Sequence, residues 1–400
     1  MEIRSHRHVV LAPFVGSAAA PWAGHQFLHQ YLNALADAGW DVHLVAPDNL
    51  DNQRELNRGD SRYAVTLVAG DPLWPRLRRR IYRETLGWVE GLTTVFHEPN
   101  LRAIDYLLRG AAGIEIHWGE ALPSRREIAR LRRQAPVAFF CHDLRQDLRA
   151  QIARDHLPLV RGLVSRVALA HAARQETRRM QVCDLVLAFK KNDLRMISAQ
   201  NRRVVRPWLD IPHGAVDVEK SPPKLLFVGA LDRPENEESI MWFLERVWPQ
   251  LRERIPAVEL TVVGGSPSGK LLALSSELGF AVPGYVEDLE PHYRQARCVI
   301  APIVRGVGVK FKVPQAMAYG LPVAATELAA NGVGAPTDAY ACISDDPRVW
   351  ISALEAQLQN PLAAVAAGRA ARDWVMQSGD FAHEVQSVMG LWSHDEDWVP

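Results

Sequence analysis

The first half of the chain alternates short apolar runs with helical patterns. The runs that suit buried strands are residues 8–13, 42–46, 65–68, 113–117, 137–141 and 185–189. After the first run, apolar residues of 24–38 recur at helical spacing, and Gly39 follows where a left-handed helix cap is favoured. This strand–helix–strand order predicts parallel strands with right-handed crossovers, and therefore a doubly wound α/β domain.

The same alternation restarts after a proline-rich segment. Residues 206–223 contain four prolines and little periodicity, which predicts an interdomain linker. Strand-like runs follow at 224–228, 260–263, 298–302 and 323–326, one helix is predicted over 238–254, and residues 353–392 read as mostly helical. We set the domains at 1–208 and 224–380, with a linker at 209–223 and a terminal helix at 381–400 that packs back towards the first domain.

Two doubly wound domains predict where a ligand binds. In such sheets ligands bind at the carboxyl ends of the strands. We therefore expect two Rossmann-like domains that face each other across a cleft, with the site in the cleft. This architecture alone does not select a reaction.

Composition excludes several classes of protein. The chain has 400 residues, 48% hydrophobic and 23% charged, which is ordinary globular material for two domains. No stretch approaches the roughly 18 apolar residues of a membrane span, and the N-terminus lacks the long apolar core of a signal peptide. The four cysteines lie far apart without a CxxC pair, which argues against a zinc site and favours a cytoplasmic location.

The net charge is zero but unevenly spread. Residues 1–210 carry 31 Lys and Arg against 22 Asp and Glu, and the remainder carries 15 against 24. The basic excess gathers at 76–83, 125–133 and 145–179. These segments are either solvated helix faces or a surface for an anionic acceptor or peripheral contact with an anionic membrane. No aromatic-interleaved basic motif accompanies them, so we expect no nucleic-acid partner.

A glycine-rich basic loop follows the run at 298–302. Gly306 and Gly308 allow the backbone to bend and to approach a ligand closely. Positive charge is added by Arg305, Lys310 and Lys312. Free backbone N–H groups and cations together predict an anion site suited to a diphosphate. The alternative, a glycine loop with solvated lysines, stays open at this point.

The segment that begins with this loop resembles the signature of retaining glycosyltransferases of family 4. That signature is a glycine-rich loop, Lys, then Glu-Ala-Met-Ala-x-Gly-x-Pro-Val. The residues that match are Ala316, Met317, Ala318, Gly320, Pro322 and Val323. Residues 227–236 are similar to the opening of the family's donor domain, residues 284–289 to its base-binding turn, and residues 23–25 to its N-terminal glycine loop. The resemblance is specific over about 150 residues of the donor half and loose elsewhere, and it implies the GT-B fold.

The resemblance also implies an activity and a set of site residues. The activity is transfer of a sugar from a nucleoside diphosphate sugar to an acceptor hydroxyl, with retention of configuration, without a metal or other cofactor. The nucleoside would meet Gly284, Tyr285, Val286 and Gln315. The diphosphate would lie between Gly24 and the loop that holds Arg305, Gly308, Lys310 and Lys312. The acceptor would be a sugar, a lipid-linked molecule or a small molecule.

The chain departs from the family pattern at positions that touch the donor. Gln315 stands where the family has the Glu that binds the ribose, and Val307 stands where a second Glu is common. Ala230 and Asn236 occupy the places of an Arg and a Lys after the first donor-domain strand. Gln accepts a hydrogen bond but carries no charge, so ribose recognition, donor affinity or catalysis is altered.

Side chains of the first half supply candidates for catalysis and for the acceptor side. By resemblance, His117 at the end of the run 113–117 contacts the sugar or the leaving group. His142, Trp118 and Glu120 are candidates for the acceptor side, although each is also explained by a structural role. His25 either meets a phosphate oxygen or caps its helix. Sugars stack on aromatic rings, so some loop tryptophans line the acceptor site or pack in the core, namely Trp74, Trp88, Trp118 and Trp208.

Two other functions remain as alternatives. A non-catalytic or partner-dependent homologue that binds nucleotide sugar is suggested by Gln315. A GT-B-shaped sugar-nucleotide epimerase would bind the same donor, but the Ala-Met-Ala segment fits transferases better. An NAD-dependent enzyme is disfavoured, because no GxGxxG with a suitably placed acid follows the first strand.

Overall fold

The computed structural model describes the chain as two compact units. The described residues are 7–17, 23–59, 61–69, 95–142, 159–198, 201–205, 211–306 and 308–377, with Val388 and Gly390. The first unit comprises Met1–Val205 together with Ala382–Pro400, and the second comprises Arg206–Phe381. No helix in these ranges has the length and apolar character needed to cross a membrane.

The first unit is built on a seven-stranded sheet. Its strands are β1 (Arg7–Leu11), β2 (Asp41–Pro47), β3 (Ala64–Val68), β4 (Gly113–His117), β5 (Val137–Cys141), β6 (Leu185–Ala188) and β7 (Arg202–Val204). All pairs are parallel, in the order β3-β2-β1-β4-β5-β6-β7. The helices are α1 (Ala23–Asp37), α2 (Leu50–Leu56), α3 (Glu98–Ala103), α4 (Asp105–Leu108), α5 (Arg125–Leu131) and α6 (Leu159–Met180).

The two faces of this sheet differ in polarity near its centre. Val10 of β1 pairs with Glu115 of β4. Because side chains alternate along a strand, Ile114 and Ile116 enter the apolar core on one face. Glu115 and His117 therefore point to the other face, where α1 lies over the sheet and Tyr31 contacts Glu115. A layer of polar side chains is thus buried between the sheet and α1.

The second unit is a six-stranded parallel sheet. Its strands are β8 (Lys224–Val228), β9 (Glu259–Val263), β10 (Ala281–Gly284), β11 (Cys298–Ala301), β12 (Val323–Ala325) and β13 (Tyr340–Ile343), in the order β10-β9-β8-β11-β12-β13. Its helices are α7 (Pro234–Arg246), α8 (Trp248–Arg254), α9 (Gly269–Leu278), α10 (Glu290–Gln295), α11 (Lys312–Ala318), α12 (Glu327–Ala330), α13 (Pro347–Gln359) and α14 (Pro361–Gln377). Apolar clusters fill both faces of the sheet.

The prediction of a single helix over 238–254 is wrong. The structure has two helices, α7 and α8, which meet at Val247. Pro249 lies in the first turn of α8 and has no N–H to donate to the preceding turn, so it begins a new helix instead of continuing the old one.

Residues 211–223 of the proline-rich segment are packed within the second unit. Residues 211–223 contain no helix or strand, and the side chains of Val216 and Val218 are buried in its apolar core. The N–H of Val216 donates to the carbonyl of Tyr319 at 2.8 Å. The guanidinium of Arg372 donates to the carbonyls of Ala318 and Pro212. The terminal segment 381–400 lies outside the described residues, apart from Val388 and Gly390.

Candidate functional site

Four loops of the second unit meet at the carboxyl edge of its sheet. Gly229 follows β8, Gly264 follows β9, Tyr285 follows β10, and residues 302–311 follow β11. Parallel strands bring these loops to one edge, where doubly wound sheets bind ligands. The donor-side residues predicted from the sequence in this unit are therefore on this edge.

Two glycines at this edge of the sheet leave room only for backbone atoms. A Cβ added at Gly264 would lie 1.8 Å from the carbonyl oxygen of Gly229, which no side chain tolerates. A Cβ added at Gly229 would lie 2.8 Å from Nζ of Lys312. Glycine at both positions lets the β8 and β9 loops pack together and lets Lys312 reach across them.

Lys312 is the polar centre of this edge. Its Nζ donates to Oδ1 of Asn236 at 2.8 Å and lies 4.7 Å from the ring centroid of Phe227. Burial, followed by the charges of Lys310 and Arg233, lowers the pKa of Lys312 to about 7, against the opposing effect of Glu235. A bound anion would favour the charged ammonium, so binding of an anion here would be accompanied by protonation of Lys312.

The glycine-rich loop directly precedes this lysine in the chain. Gly306 and Gly308 have φ angles of 122° and 75°, which residues with a side chain rarely adopt. A Cβ added at Gly306 would lie 3.0 Å from Nζ of Lys310. The guanidinium of Arg305 lies 3.4 Å from the Glu238 carboxylate on α7. Nζ of Lys310 thus lies close to the loop backbone, whereas Arg305 is turned partly towards an acid.

The residues predicted to meet a nucleoside lie around the end of β10 and on α11. Gly284 has φ 80°, and its carbonyl accepts the N–H of Gly264 at 3.0 Å. Tyr285 is 56% exposed, and Val286 packs against the apolar core. Gln315 is half-buried in α11, three residues after Lys312. The exposed phenol ring and the amide offer hydrogen bonds and a stacking face at this edge.

A buried hydrogen-bonded cluster occupies the polar face of the first unit. Glu115 is fully buried, and its carboxylate accepts from the Tyr31 hydroxyl at 2.7 Å and lies 2.9 Å from Nε2 of His8. Nε2 of His117 lies 3.4 Å from the same carboxylate. Burial raises the pKa of Glu115, but the neighbouring His117 and His8 outweigh burial, so the pKa lies well below its usual range. These neighbours therefore favour the ionised form of the carboxylate inside the fold.

The cluster continues from His117 to the edge of the sheet. His117 is itself fully buried, and its Nδ1 lies 3.0 Å from Nε2 of His142, which follows β5. The His142 ring stacks on Trp118, with centroids 3.7 Å apart. Burial, followed by the charge of His117, lowers the pKa of His142 well below its usual value. Trp118 has φ 65°, an uncommon angle for a residue with a large side chain.

The remaining candidates of the first unit lie around Trp118. A Cβ added at Gly24 would lie 3.3 Å from the Trp118 ring, so glycine lets that ring lie against the start of α1. His25 stacks on Phe14, with centroids 3.9 Å apart. Glu120 is half-buried, and its carbonyl accepts the N–H of Val95. Trp74, Trp88, Trp208 and Val307 lie outside the described residues.

The sequence reasoning missed Glu115, Tyr31 and His8. A signal for them was present, because an acid within the apolar run GIEIH stands two residues before His117 and must share its strand face. His8 gave the same signal in the first strand. Tyr31 fits the helical spacing of the apolar residues in 24–38, although a buried phenol also needs a hydrogen-bond partner.

Potential metal ligands do not cluster among the described residues. Within those ranges no group of three His, Cys, Asp or Glu side chains is placed to hold a metal ion. The sequence contains an Asp-Glu-Asp run at 395–397, which lies outside the described ranges. Metal independence therefore stays a prediction.

Comparison with known sequences places a domain in the second unit. Residues 222–360 match the family described as Glycosyl transferases group 1. An uncharacterised 44.6 kDa protein in the cps region of Klebsiella pneumoniae is 29% identical over 134 residues. That match spans 30% of this chain and only 34% of the relative.

Comparison with solved structures covers nearly the whole chain. Sucrose-phosphate synthase from Thermosynechococcus elongatus has a TM-score of 0.65 at 18% identity, covering 96% of this chain and 98% of that one. TarM has a TM-score of 0.69 at 10% identity, covering 98% and 100%. HepE from Anabaena, in complex with UDP and glucose, has a TM-score of 0.61 at 13% identity, covering 96% and 99%. The fold is GT-B, and the domain match together with this fold supports a glycosyltransferase.

Proposed function

We propose that this chain transfers a sugar from a nucleoside diphosphate sugar to an acceptor hydroxyl, with retention of configuration and without a metal. The observation that carries the proposal is the half-buried Lys312, which begins α11 directly after the glycine-rich loop. A lysine with its pKa lowered to about 7 at a ligand-binding edge is costly unless an anion uses it. The loop also lies within the segment that matches Glycosyl transferases group 1.

In this proposal the second unit binds the donor. The diphosphate lies against Lys312 and Lys310 and accepts hydrogen bonds from the backbone at Gly308. The nucleoside lies against Tyr285 and Gln315 on the same edge. Uridine is the first base to test, because HepE and a mutant of TarM were solved in complex with UDP.

The chemistry needs stabilisation of the negative charge that develops on the departing diphosphate. Fixed N–H groups and ammonium groups supply that stabilisation without rearranging during the reaction. Lys312 gains most from it, since charge arriving on the leaving group favours the protonated lysine. The first unit supplies the acceptor side, where Trp118 and His142 offer a ring face and an imidazole to a sugar acceptor. A role in polysaccharide or glycoconjugate synthesis agrees with the relative from a cps region.

Transfer to an acceptor is the direct test. We expect the chain to consume a UDP-sugar in the presence of a sugar acceptor, to keep the anomeric configuration in the product by NMR, and to remain active in excess EDTA. Inverted product or loss of activity in EDTA would overturn the mechanism. Conversion of the donor sugar without any acceptor would favour an epimerase instead.

A second candidate rests on Gln315, which replaces the acid expected to hold the donor ribose. In this alternative the chain binds nucleotide sugar without turning it over. The Gln315→Glu variant separates the two, because a carboxylate accepts stronger hydrogen bonds from ribose hydroxyls than an amide does. A gain of transfer from an inactive wild-type chain supports the lost-carboxylate account, and continued inactivity despite donor binding argues against it.

A further inference from the structure

A buried carboxylate under the edge of the first sheet has no role in the proposed donor site. Glu115 has no exposed surface, and its strand neighbours Ile114 and Ile116 are equally buried. Burying a charge costs stability unless it is paired and hydrogen-bonded. Packing alone would be served better by an apolar residue at this position, so the network around the carboxylate calls for a further explanation.

The titratable groups around Glu115 come from every element that packs on it. Among the described residues they are His8 from β1, Tyr31 from α1, His117 from β4 and, one contact further, His142 after β5. Both Tyr31 and His8 are anchored within the same buried layer. Because an ionised carboxylate only accepts hydrogen bonds, it favours a hydrogen on Nε2 of His8 and accepts the one from the Tyr31 hydroxyl.

The geometry of β4 places His117 beside the same carboxylate. Glu115 and His117 are two residues apart on β4, so their side chains share one face. Nε2 of His117 lies 3.4 Å from the carboxylate without forming a hydrogen bond to it. A lone pair facing the carboxylate at this distance would be repelled, so the hydrogen is favoured on Nε2. Nδ1 then faces Nε2 of His142 at 3.0 Å, and the pair shares one hydrogen. The ring of His142 is in turn held against Trp118.

We propose that Glu115 is a positioning residue for the transfer reaction, which holds His117 with Nε2 protonated and, through His117, orients the His142 ring at the sheet edge. The proposal rests on the proposed function for its catalytic meaning. It assigns the outward position to His142, which is 7% exposed, whereas His117 has no exposed surface. Carboxylate–histidine pairs fix the tautomer and orientation of imidazoles in this way.

NMR shows directly which ring nitrogens of the histidines carry a hydrogen in the wild-type chain. With ¹⁵N-labelled histidine, assigned with the His117→Gln and His142→Gln variants, Nε2 of His117 is expected to report a bound hydrogen between pH 6 and 8. A wild-type His117 without a hydrogen on Nε2 would overturn the proposal. This readout requires neither donor nor acceptor, so it is independent of whether the chain transfers sugar.

Glu115→Gln then tests the consequence, with Tyr31→Phe as the matched control. The control removes one hydrogen bond to the carboxylate but leaves its charge. For Glu115→Gln we expect a change in which ring nitrogen of His117 carries the hydrogen, here called its ring state. We also expect a fall in kcat of about tenfold or more and an unchanged Kd for UDP. Tyr31→Phe should keep the wild-type ring state. A Glu115→Gln chain that is less stable but has the wild-type ring state and kcat would show that Glu115 serves only the fold.

If UDP fails to bind the wild-type chain, the proposed function fails, whereas the NMR result still decides the Glu115 arrangement. If the Glu115→Gln chain does not fold, the wild-type ring state decides alone. A Glu115→Asp chain that recovers the wild-type ring state supports positioning by charge.

Discussion

At the scale of single residues, the proposed binding of a donor beside Lys312 should depend on pH. The pKa of Lys312 is lowered to about 7 in the free protein, chiefly by burial. A diphosphate bound beside it raises that pKa, so binding takes up a proton. Affinity for a UDP-sugar should be greatest below pH 7 and fall by up to about tenfold per pH unit above it. Calorimetric titration from pH 6 to 9, in buffers of different ionisation enthalpy, measures both the affinity and the proton uptake.

The Lys312→Arg variant is the control for this pH dependence. A guanidinium stays charged across the range, so its residual affinity should not vary with pH. Lys220→Gln removes an exposed lysine paired with Asp217 and should behave as wild type. An equally steep pH dependence in Lys312→Arg would assign the titration to another group.

The sequence largely predicts which residues of the proposed donor site lie together at the edge of the second sheet. Gly308, Lys310, Lys312 and Gln315 stand in one recognisable segment, so sequence order already placed them together. The contact of Lys312 with Asn236 was not predictable, because 76 residues separate the two and only the fold joins them. In the first unit the Glu115 cluster combines β1, α1 and β4, and no motif connects those three elements.

At the scale of elements, the loops after β8 and β9 pack closely together. A side chain added where they meet should destabilise the second unit more than one added elsewhere. A Cβ at Gly264 would lie 1.8 Å from the Gly229 carbonyl oxygen, and backbone cannot move aside as a side chain can. We expect Gly264→Ala to destabilise the unit by about 3 kcal/mol, at the upper end for overpacking. Urea unfolding followed by circular dichroism measures this change.

Gly269→Ala is the matched control. Gly269 begins α9, and an added Cβ there meets nothing within 4 Å. Alanine favours a helix over glycine, so this variant should be neutral or more stable by up to about 1 kcal/mol. Equal stability of the two variants would contradict the close approach of the loops.

Three strands escaped prediction, and all three lie at sheet edges. They are β7, β10 and β13. An edge strand is paired on one side only and can carry charge or proline, as β7 does with RRV and β10 does with AVPG. The central strands were predicted well because burial on both faces produces continuous apolar runs, such as VAFFC in β5.

At the scale of the whole molecule, the charge is divided between the two halves of the sequence. The first 210 residues carry an excess of Lys and Arg, and the remainder an equal excess of Asp and Glu. If the basic half meets an anionic membrane, binding to vesicles with anionic lipid should fall steeply between 0.05 and 0.5 M salt, because salt screens such attraction. Vesicle sedimentation measures this, with neutral vesicles as the control. Absent or salt-independent binding would assign the basic segments to solvated helix faces.

The central claim is that the Lys312 edge binds a nucleoside diphosphate sugar. The most direct test is calorimetric titration of the wild-type and Lys312→Met chains with UDP, GDP, ADP and their sugar conjugates at pH 6.5. We expect saturable binding of one nucleotide class to the wild-type chain, weakened at least about tenfold in Lys312→Met and unchanged in Lys220→Gln. Binding that Lys312→Met leaves intact, or no binding of any nucleotide by the wild-type chain, would contradict it.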